Sequence, residues 1–444
     1  MEIQDIYTCF LECGSVTTDS RKCGNGLMFF ALKGERFDGN TFVRSALEQG
    51  CNYAVMDDAG LYDPSDSRMI LVDNVLKTLQ QLAAFHRRKL GTPVIGITGT
   101  NGKTTTKELT AAVMSSTFDI LCTQGNLNNS IGVPLTVLGL DERHDYAIVE
   151  MGASHPGDIE ELVNISQPDC GLITNVGMAH LLGFGSFEGV KKTKGELYDW
   201  LRAHGGFAFV NRDNPHLQQM AAGLPVLEYG KPGQDGLLVQ GEVLQCNPYL
   251  EFRWRTDGIE WQTVKTNLIG AYNVDNCLAA LSVGMHFGVS PENASEAIAG
   301  YVPSNNRSQL TVTARNRLVV DAYNANPSSM AAAIENFRLM QANARTLILG
   351  DMRELGDAAR DAHISVLEQI EKCVFTEVFL VGDEFTAAFN ELSGRQSLNP
   401  GTAWHLFTDA AQLYSYLEQN PLDSRTILVK GSNSMRLTTL LPVL

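Results

Sequence analysis

Residues 93–108 read PVIGITGTNGKTTTKE: an apolar, β-branched run, then glycines, then a lysine and three threonines. That order predicts a strand, a tight loop and a helix. Gly99 and Gly102 let the backbone turn sharply and come within hydrogen-bonding distance of a polyphosphate, and the helix aims its N-terminal amides and positive dipole end at the same place. Lys103 is placed to neutralise β- and γ-phosphates and the Thr104 hydroxyl to hold Mg²⁺, with Thr100, Asn101 and Thr105 completing the cradle. Ile97 stands where the strict Gly-x-x-x-x-Gly-Lys-Thr pattern has its first glycine, so Gly99 takes over the turn and the loop is a shortened variant. Glycine-rich strand-to-helix turns occur in many α/β proteins without a phosphate. Gly-Lys-Thr at the junction singles this one out.

Outward from the loop, residues 93 to about 300 alternate strand and helix patterns, the signature of a mostly parallel sheet flanked by helices. YAIVEMGAS is a buried strand whose end carries Glu150. CGLITNVGMAHLLGFGS repeats the arrangement, with His180 in the loop beyond. Ligands of open α/β sheets bind outside the C-terminal strand ends, so both residues are placed to face a nucleotide, although a lone buried Glu or His is often only a hydrogen-bonded core residue. The helix GVKKTKGELYDWL carries Lys191, Lys192 and Lys194. Residues 225–268 predict antiparallel strands, with period-two alternation in YLEFRWR and a turn at Asp257-Gly258. GAYNVDNCLAALSVGMHFG predicts a helix with Val274, Leu278, Leu281 and Met285 inward and Asn273 and Asn276 in its first turn.

On the N-terminal side, LMFFAL is an apolar strand followed by turns at Lys33-Gly34 and Asp38-Gly39, then a helix with Phe42, Ala46 and Leu47 on one face. Ser20, Arg21, Lys33 and Arg36 put hydroxyl and cationic donors beside these turns, which suits a diphosphate or a uracil edge and equally suits solvated turn residues. A helix holding Leu76, Leu79, Leu82, Ala83 and Phe85 ends at Arg87-Arg88-Lys89 and Gly91. On the C-terminal side, RLVVDAYNANP, RTLILGDMRELG, EVFLVGDEF and RTILVKGS each break from a leucine- or valine-rich run into Gly, Asp or Asn, predicting a small Rossmann-like unit without the Gly-x-Gly-x-x-Gly fingerprint. The 444 residues therefore divide as 1–90, 91–305 and 306–444, consistent with about 150 residues per domain. The segment from Gly300 to Gln309 is expected to hinge the last unit.

Composition narrows the class. With 44% hydrophobic and 19% charged residues, the chain reads as an ordinary globular protein able to bury several cores. No run approaches the ~20 apolar residues of a membrane span, and the start, MEIQDIYTCF, lacks a basic region followed by an apolar one, which predicts a cytosolic protein. Nine scattered cysteines without a Cys-x-x-Cys pair predict reduced thiols. A net charge of −16 argues against a nucleic-acid partner.

Taken in order, DSRK, FALKGERFDG, GTNGKTTTKE, GNLNNSIGVP, EMGAS, GLITNVGMAHL, TKGELY, NVDNCLAAL, DAYNANP, LGDMRELG and LVKGS resemble the Mur ligases, the ATP-dependent amide-forming enzymes of bacterial cell-wall synthesis. The likeness covers essentially the whole chain and is strongest to the branch that joins D-Ala-D-Ala to UDP-N-acetylmuramoyl-tripeptide. It implies a three-domain α/β architecture and ATP with two Mg²⁺ held by Thr104, Glu150 and His180. It further implies that Lys194 reacts with CO₂ to become a carbamate that joins the metal site. By the same resemblance Asn273, Arg307 and Asp321 hold adenine, γ-phosphate and ribose, and Ser20, Arg21, Lys33, Gly34, Asp38 and Gly39 bind the UDP end. Asn128 and Asn129 lie near the muramoyl-peptide, and Tyr323, Asn324, Asn326 and the turn at Gly350-Asp351-Met352 lie where acceptor and nucleotide meet. A monomer is expected. Tyr272 stands where the family usually has His, and Asn306 where it has Gly. Asp213-Asn214-Pro215 resembles a signature of the sibling that adds the third amino acid, but it stands in the wrong domain and ends in His216, so it is set aside. A sibling Mur ligase, a folylpolyglutamate synthase and, in a different class, a P-loop nucleotide switch are the alternatives.

Overall fold

The computed structural model describes residues 1–35, 37–303, 309–342, 344–395 and 397–444. Arg307 and residues 304–308 of the expected hinge lie outside the described residues. Three main sheets of four, nine and six strands follow one another along the chain, with a two-stranded ribbon at Lys33–Gly34 and Phe37–Asp38.

The first sheet pairs Ser15–Thr17, Leu27–Phe30, Tyr53–Met56 and Met69–Leu71, all parallel. Met28, Phe29 and Phe30 are all buried, because a parallel strand covered on both faces reads as a continuous apolar run. The helix expected to bury Phe42 is out of phase. Gly39–Phe42 forms a 3₁₀ turn, opened by the Asp38 carboxylate accepting from Asn40 N at 2.9 Å, and the α-helix begins at Val43. The tighter turn rotates the apolar face, so Val43, Ala46 and Leu47 are buried and Phe42 is exposed.

A bridging helix, Val75–Leu90, joins the first sheet to the central one. Asn74 caps its start by accepting from Lys77 N at 2.8 Å, and Gly91 ends it at φ 71°, where a side chain would be strained. His86 on this helix connects three elements: Tyr7 OH lies 3.1 Å from Nδ1, and Nε2 lies 2.9 Å from Leu140 O. The carbonyl can only accept, so the neutral Nε2–H tautomer satisfies both contacts, with the phenol donating to Nδ1.

The central sheet runs Gln262–Ile269, Tyr249–Arg255, Val239–Cys246, Val226–Gly230, Phe207–Asn211, Cys170–Ile173, Val94–Thr98, Tyr146–Glu150 and Ile120–Cys122. The expectation of antiparallel strands across 225–268 holds only in part. Val226–Gly230 pairs parallel with Phe207–Asn211, and the antiparallel pairings are those among the last three strands in sequence. The helix Pro215–Met220 intervenes between those two parallel strands, which makes the connection a crossover instead of a hairpin. Leu250, Phe252 and Trp254 alternate inward as their period-two spacing requires. Val94–Thr98 lies between Tyr146–Glu150 and Cys170–Ile173, so the chain order reverses around it. That reversal opens a crevice at its C-terminal end.

The third sheet orders Gln309–Val312, Arg317–Asp321, Thr426–Lys430, Arg345–Gly350, Glu377–Val381 and Ala403–Phe407, with only the first pair antiparallel. The turn at Gly350-Asp351-Met352, which the resemblance sets where acceptor and nucleotide meet, is buried. The Asp351 carboxylate accepts from Glu384 N at 3.2 Å and Phe385 N at 3.0 Å at the start of the helix Asp383–Arg395.

Burial lowers the pKa of His86 from its ordinary value, so the unfolded chain binds a proton there that the native chain resists. Stability should therefore fall as pH drops below about 6.5, the unfolded value, towards the depressed native one. Urea melts at pH 7.5 and 5.0 should show a smaller pH-dependent loss for His86→Gln than for the wild type. Equal losses would remove His86 from the acid sensitivity.

Candidate active site

The phosphate loop is held from one side by Thr174 to Gly177. Thr100 N donates to Asn175 O at 2.9 Å, Asn101 N to Asn175 Oδ1 at 3.0 Å, and Thr174 Oγ1 to Asn101 O at 2.6 Å. Gly99 sits at φ 146°, where a Cβ would come 2.0 Å from Thr174 Oγ1, and at Gly102, φ 78°, a Cβ would meet Asn276 Oδ1 at 2.6 Å. Only glycine fits either place. The helix Lys103–Ser115 starts without a capping side chain among the described residues, leaving its first N–H groups directed into the crevice. Lys103 Nζ donates to Gly99 O at 2.9 Å and Thr100 O at 3.1 Å, so the lysine curls over its own loop.

Glu150 ends its strand 1% exposed. Its Oε1 accepts from Thr104 Oγ1 at 3.1 Å and from Asn128 Nδ2 at 2.7 Å, while Oε2 is buried without a hydrogen-bond partner among the described residues. A buried carboxylate oxygen left unpartnered costs several kcal/mol, and a cation is what relieves it. Asn128, expected near the muramoyl-peptide, thus also positions Glu150. Asn129 caps the following helix, accepting from Gly132 N at 2.9 Å. His180 stands at φ 51°, its Nδ1 against Glu354 Oε2 from the third sheet's side of the molecule. Burial lowers the His180 pKa, and the neighbouring Glu354 opposes that shift. Lys194 is 2% exposed on the helix Phe187–Ala203, its Nζ 3.5 Å from Ala153 O. It lies behind the crevice wall. Burial, reinforced by Lys103, pushes its pKa well below the usual lysine value. Among the described residues no three His, Cys, Asp or Glu side chains gather as a metal cluster. A hard cation here would draw on the free Glu150 oxygen, the Thr104 hydroxyl and His180, an oxygen-rich set that suits Mg²⁺.

These groups face a cleft of about 1020 Å³ whose opposite wall belongs to the third sheet: Asp321, Tyr323, Asn324, Asn326, Ser328 and Lys430. The two walls touch. Asn326 Nδ2 donates to Asn101 Oδ1 at 2.8 Å, and Asn101 Nδ2 donates to Ser328 Oγ at 2.9 Å. Asp321 accepts from the buried Lys430 Nζ at 2.6 Å. Tyr272 and Asn273 line the same cleft. Asn273 is buried, its Nδ2 donating to Ile269 O and its Oδ1 accepting from Asn276 Nδ2, each at 2.8 Å; Asn276 Oδ1 in turn accepts from Thr106 Oγ1 at 3.0 Å.

Ser20, Arg21, Lys33, Gly34, Asp38 and Gly39 do not line this cleft. They lie in two turns of the first layer, Ser20 and Arg21 in one and the rest in the ribbon and the turn after it, where Lys33 Nζ pairs with Asp57 at 3.0 Å and Arg21 with Asp19 at 2.8 Å. Asp213, Asn214, Pro215 and His216, set aside on the sequence, do line it. Their own signal, Asn-Pro opening a helix right after a strand, was legible. Setting them aside as a signature of the sibling stands, and nothing in the sequence places that strand end beside the phosphate loop. Asn175, Ser328 and Glu354 carry no such signal, since each is bonded to a residue at least 74 positions away.

A nucleotide-phosphate loop, a buried carboxylate beside it and a facing wall from a second α/β layer define the class of multidomain nucleotide-dependent α/β enzymes. Family models match the chain as the Mur ligase family catalytic domain at residues 12–87, the Mur ligase middle domain at 97–284 and the Mur ligase glutamate ligase domain at 306–433. The UDP-N-acetylmuramoyl-tripeptide–D-alanyl-D-alanine ligase of Bacillus subtilis is 36% identical over 95% of this chain and 91% of its own length. A crystal structure of MurF from Acinetobacter baumannii superimposes with a TM-score of 0.86 at 28% identity, covering 99% of this chain and 97% of that one. MurF from Thermotoga maritima, solved in complex with ADP, gives 0.84 at 25% identity over 98% and 97%. The chain belongs to the Mur ligase family, within its D-alanyl-D-alanine-adding branch.

Replacing Lys103 with alanine removes two hydrogen bonds on a half-buried loop, a stability cost of about 1 kcal/mol. Turnover should fall far more, by roughly 10²–10³-fold or beyond. Coupled ADP release together with a urea melt separates the two effects, and a variant that still turns over would dissociate Lys103 from the phosphates.

Proposed function

We propose that the chain uses ATP to join the amine of D-Ala-D-Ala to the terminal carboxylate of UDP-N-acetylmuramoyl-tripeptide, releasing ADP and phosphate in peptidoglycan synthesis. The observation that carries the reading is the single cleft in which the phosphate loop and the free oxygen of Glu150 face Asp321, Tyr323, Asn324 and Asn326. A carboxylate and an ammonium do not condense unaided, because oxide is a hopeless leaving group. Transfer of the γ-phosphoryl to the carboxylate gives an acyl phosphate, which the acceptor amine attacks with loss of phosphate. In this chain Lys103 and the Lys103–Ser115 helix N-terminus hold the phosphates in line, and Asn273 and Asp321 are assigned to adenine and ribose. Thr104, Glu150, His180 and a carbamylated Lys194 would hold two Mg²⁺, whose chemistry is to offset charge on the transferring phosphoryl. Tyr323, Asn324 and Asn326 orient the acceptor, and Ser20, Arg21, Lys33, Gly34, Asp38 and Gly39 grip the UDP end from residues 1–90. Residues 91–305 carry the nucleotide, and residues 306–444 complete its site. We place the enzyme in the cytoplasm as a monomer.

ADP release assayed with UDP-muramoyl-tripeptides ending in diaminopimelate or lysine should require D-Ala-D-Ala, and the preferred tripeptide names the third residue. Release driven instead by a UDP-dipeptide with free diaminopimelate or lysine would reassign the chain to its sibling.

What supports the carbamate is the state of Lys194. Burial beside Lys103 favours the neutral amine, whose lone pair can attack CO₂ and lose a proton to leave an N-carboxylate. Lys194→Ala should lose most activity, and formate or acetate should restore part of it by filling the vacated position. Full activity without added carboxylate would count against the modification.

A further inference from the structure

Glu354 has no part in the reading above, yet it makes the one side-chain hydrogen bond to His180 that the described residues show. It comes from the turn after the strand Arg345–Gly350, on the third sheet's side of the molecule, 174 residues along the chain from its partner. The grip is double. The Glu354 carboxylate meets His180 Nδ1, and the Glu354 backbone carbonyl accepts from Leu182 N at 3.1 Å. Both residues occupy the left-handed region, His180 at φ 51° and Glu354 at φ 64°. Non-glycine residues stay there only where their surroundings over-determine the backbone.

A histidine offers a cation one nitrogen lone pair, and the partner of the other nitrogen decides which one. A carboxylate can only accept, so Nδ1 carries the proton and the lone pair is fixed on Nε2. We propose that Glu354 is a positioning residue that sets the tautomer and orientation of His180 from the third layer, so that the cation site reaches full affinity only when that layer is seated on the central one. Carboxylates that orient metal-binding histidines in this way are worth about 10–100-fold in metal affinity. The inference rests on the reading of His180 as a metal ligand.

The test uses the full chain with ADP and Mn²⁺ as the spectroscopic probe. Glu354→Ala should weaken Mn²⁺ binding, followed by electron paramagnetic resonance, by about 10–100-fold, while ADP binding without metal, followed by calorimetry, stays unchanged. Glu354→Gln keeps an oxygen acceptor and should recover part of the affinity. In ¹⁵N spectra of the histidine rings, His180 Nε2 should read as unprotonated in the wild type and Glu354→Gln chains and as a tautomer mixture in Glu354→Ala. Glu354→Asn, which tolerates the left-handed backbone but is too short to reach, replaces the alanine variant if that chain fails to fold. His180→Ala should match Glu354→Ala, and the double variant should be no worse than either. If His180→Ala weakens Mn²⁺ binding and Glu354→Ala does not, or if the two losses add, the positioning role is wrong while the metal reading stands. If His180→Ala changes nothing, both fall.

Discussion

The unpartnered oxygen of Glu150 is the constraint on which the rest of the structure turns. Its strand carries it to the crevice with 1% exposure, and both available donors, Thr104 and Asn128, are committed to the other oxygen. Folding leaves such a group unpaired only at a cost of several kcal/mol, and a cation at this oxygen would offset that cost. The nearby lysines do not fill the role. Lys103 is turned onto the carbonyls of Gly99 and Thr100, and Lys194 is buried where a charged ammonium is disfavoured.

The scaffold holds this arrangement through backbone geometry. Gly99 and Gly102 take positive φ values and lie against Thr174 and Asn276 so closely that any side chain would displace them. Asn276 in turn bonds Asn273 and Thr106, tying the helix after Gly270 to the helix after the phosphate loop. The strand order then sets the site's location, because the reversal around Val94–Thr98 opens the crevice at the same end as the loop.

What was legible in the sequence was local. The phosphate strand, loop and helix, the alternation in YLEFRWR and the helix stop at Gly91 follow from periods and turn residues within ten positions or so of one another. Phase and pairing were harder. A single 3₁₀ turn rotated Phe42 out of the core, and Val226–Gly230 joined a parallel neighbour that no local pattern identifies. Asp351 entered the site only through the resemblance, and no local pattern shows that its carboxylate serves two backbone amides inside the third layer. The cleft itself depends on contacts between distant parts of the chain. Asp213 to His216 and Ser328 could be assigned to it only once the sheets had been positioned.

Asn101 shows why the two walls act as one. Its backbone is fixed by Thr174 and Asn175 as part of the phosphate loop, while its side chain reaches Asn326 and Ser328 at the start of the helix Pro327–Leu339. The residue that shapes the phosphate loop therefore also seats the third layer on the central one. An acyl phosphate survives only where water is kept out, and an amine competes for it only when held close. A loop whose conformation is shared with the opposite wall meets both needs. A rearrangement that opened the cleft to water would also loosen Asn101, and with it the hold on the phosphates needed to form the acyl phosphate.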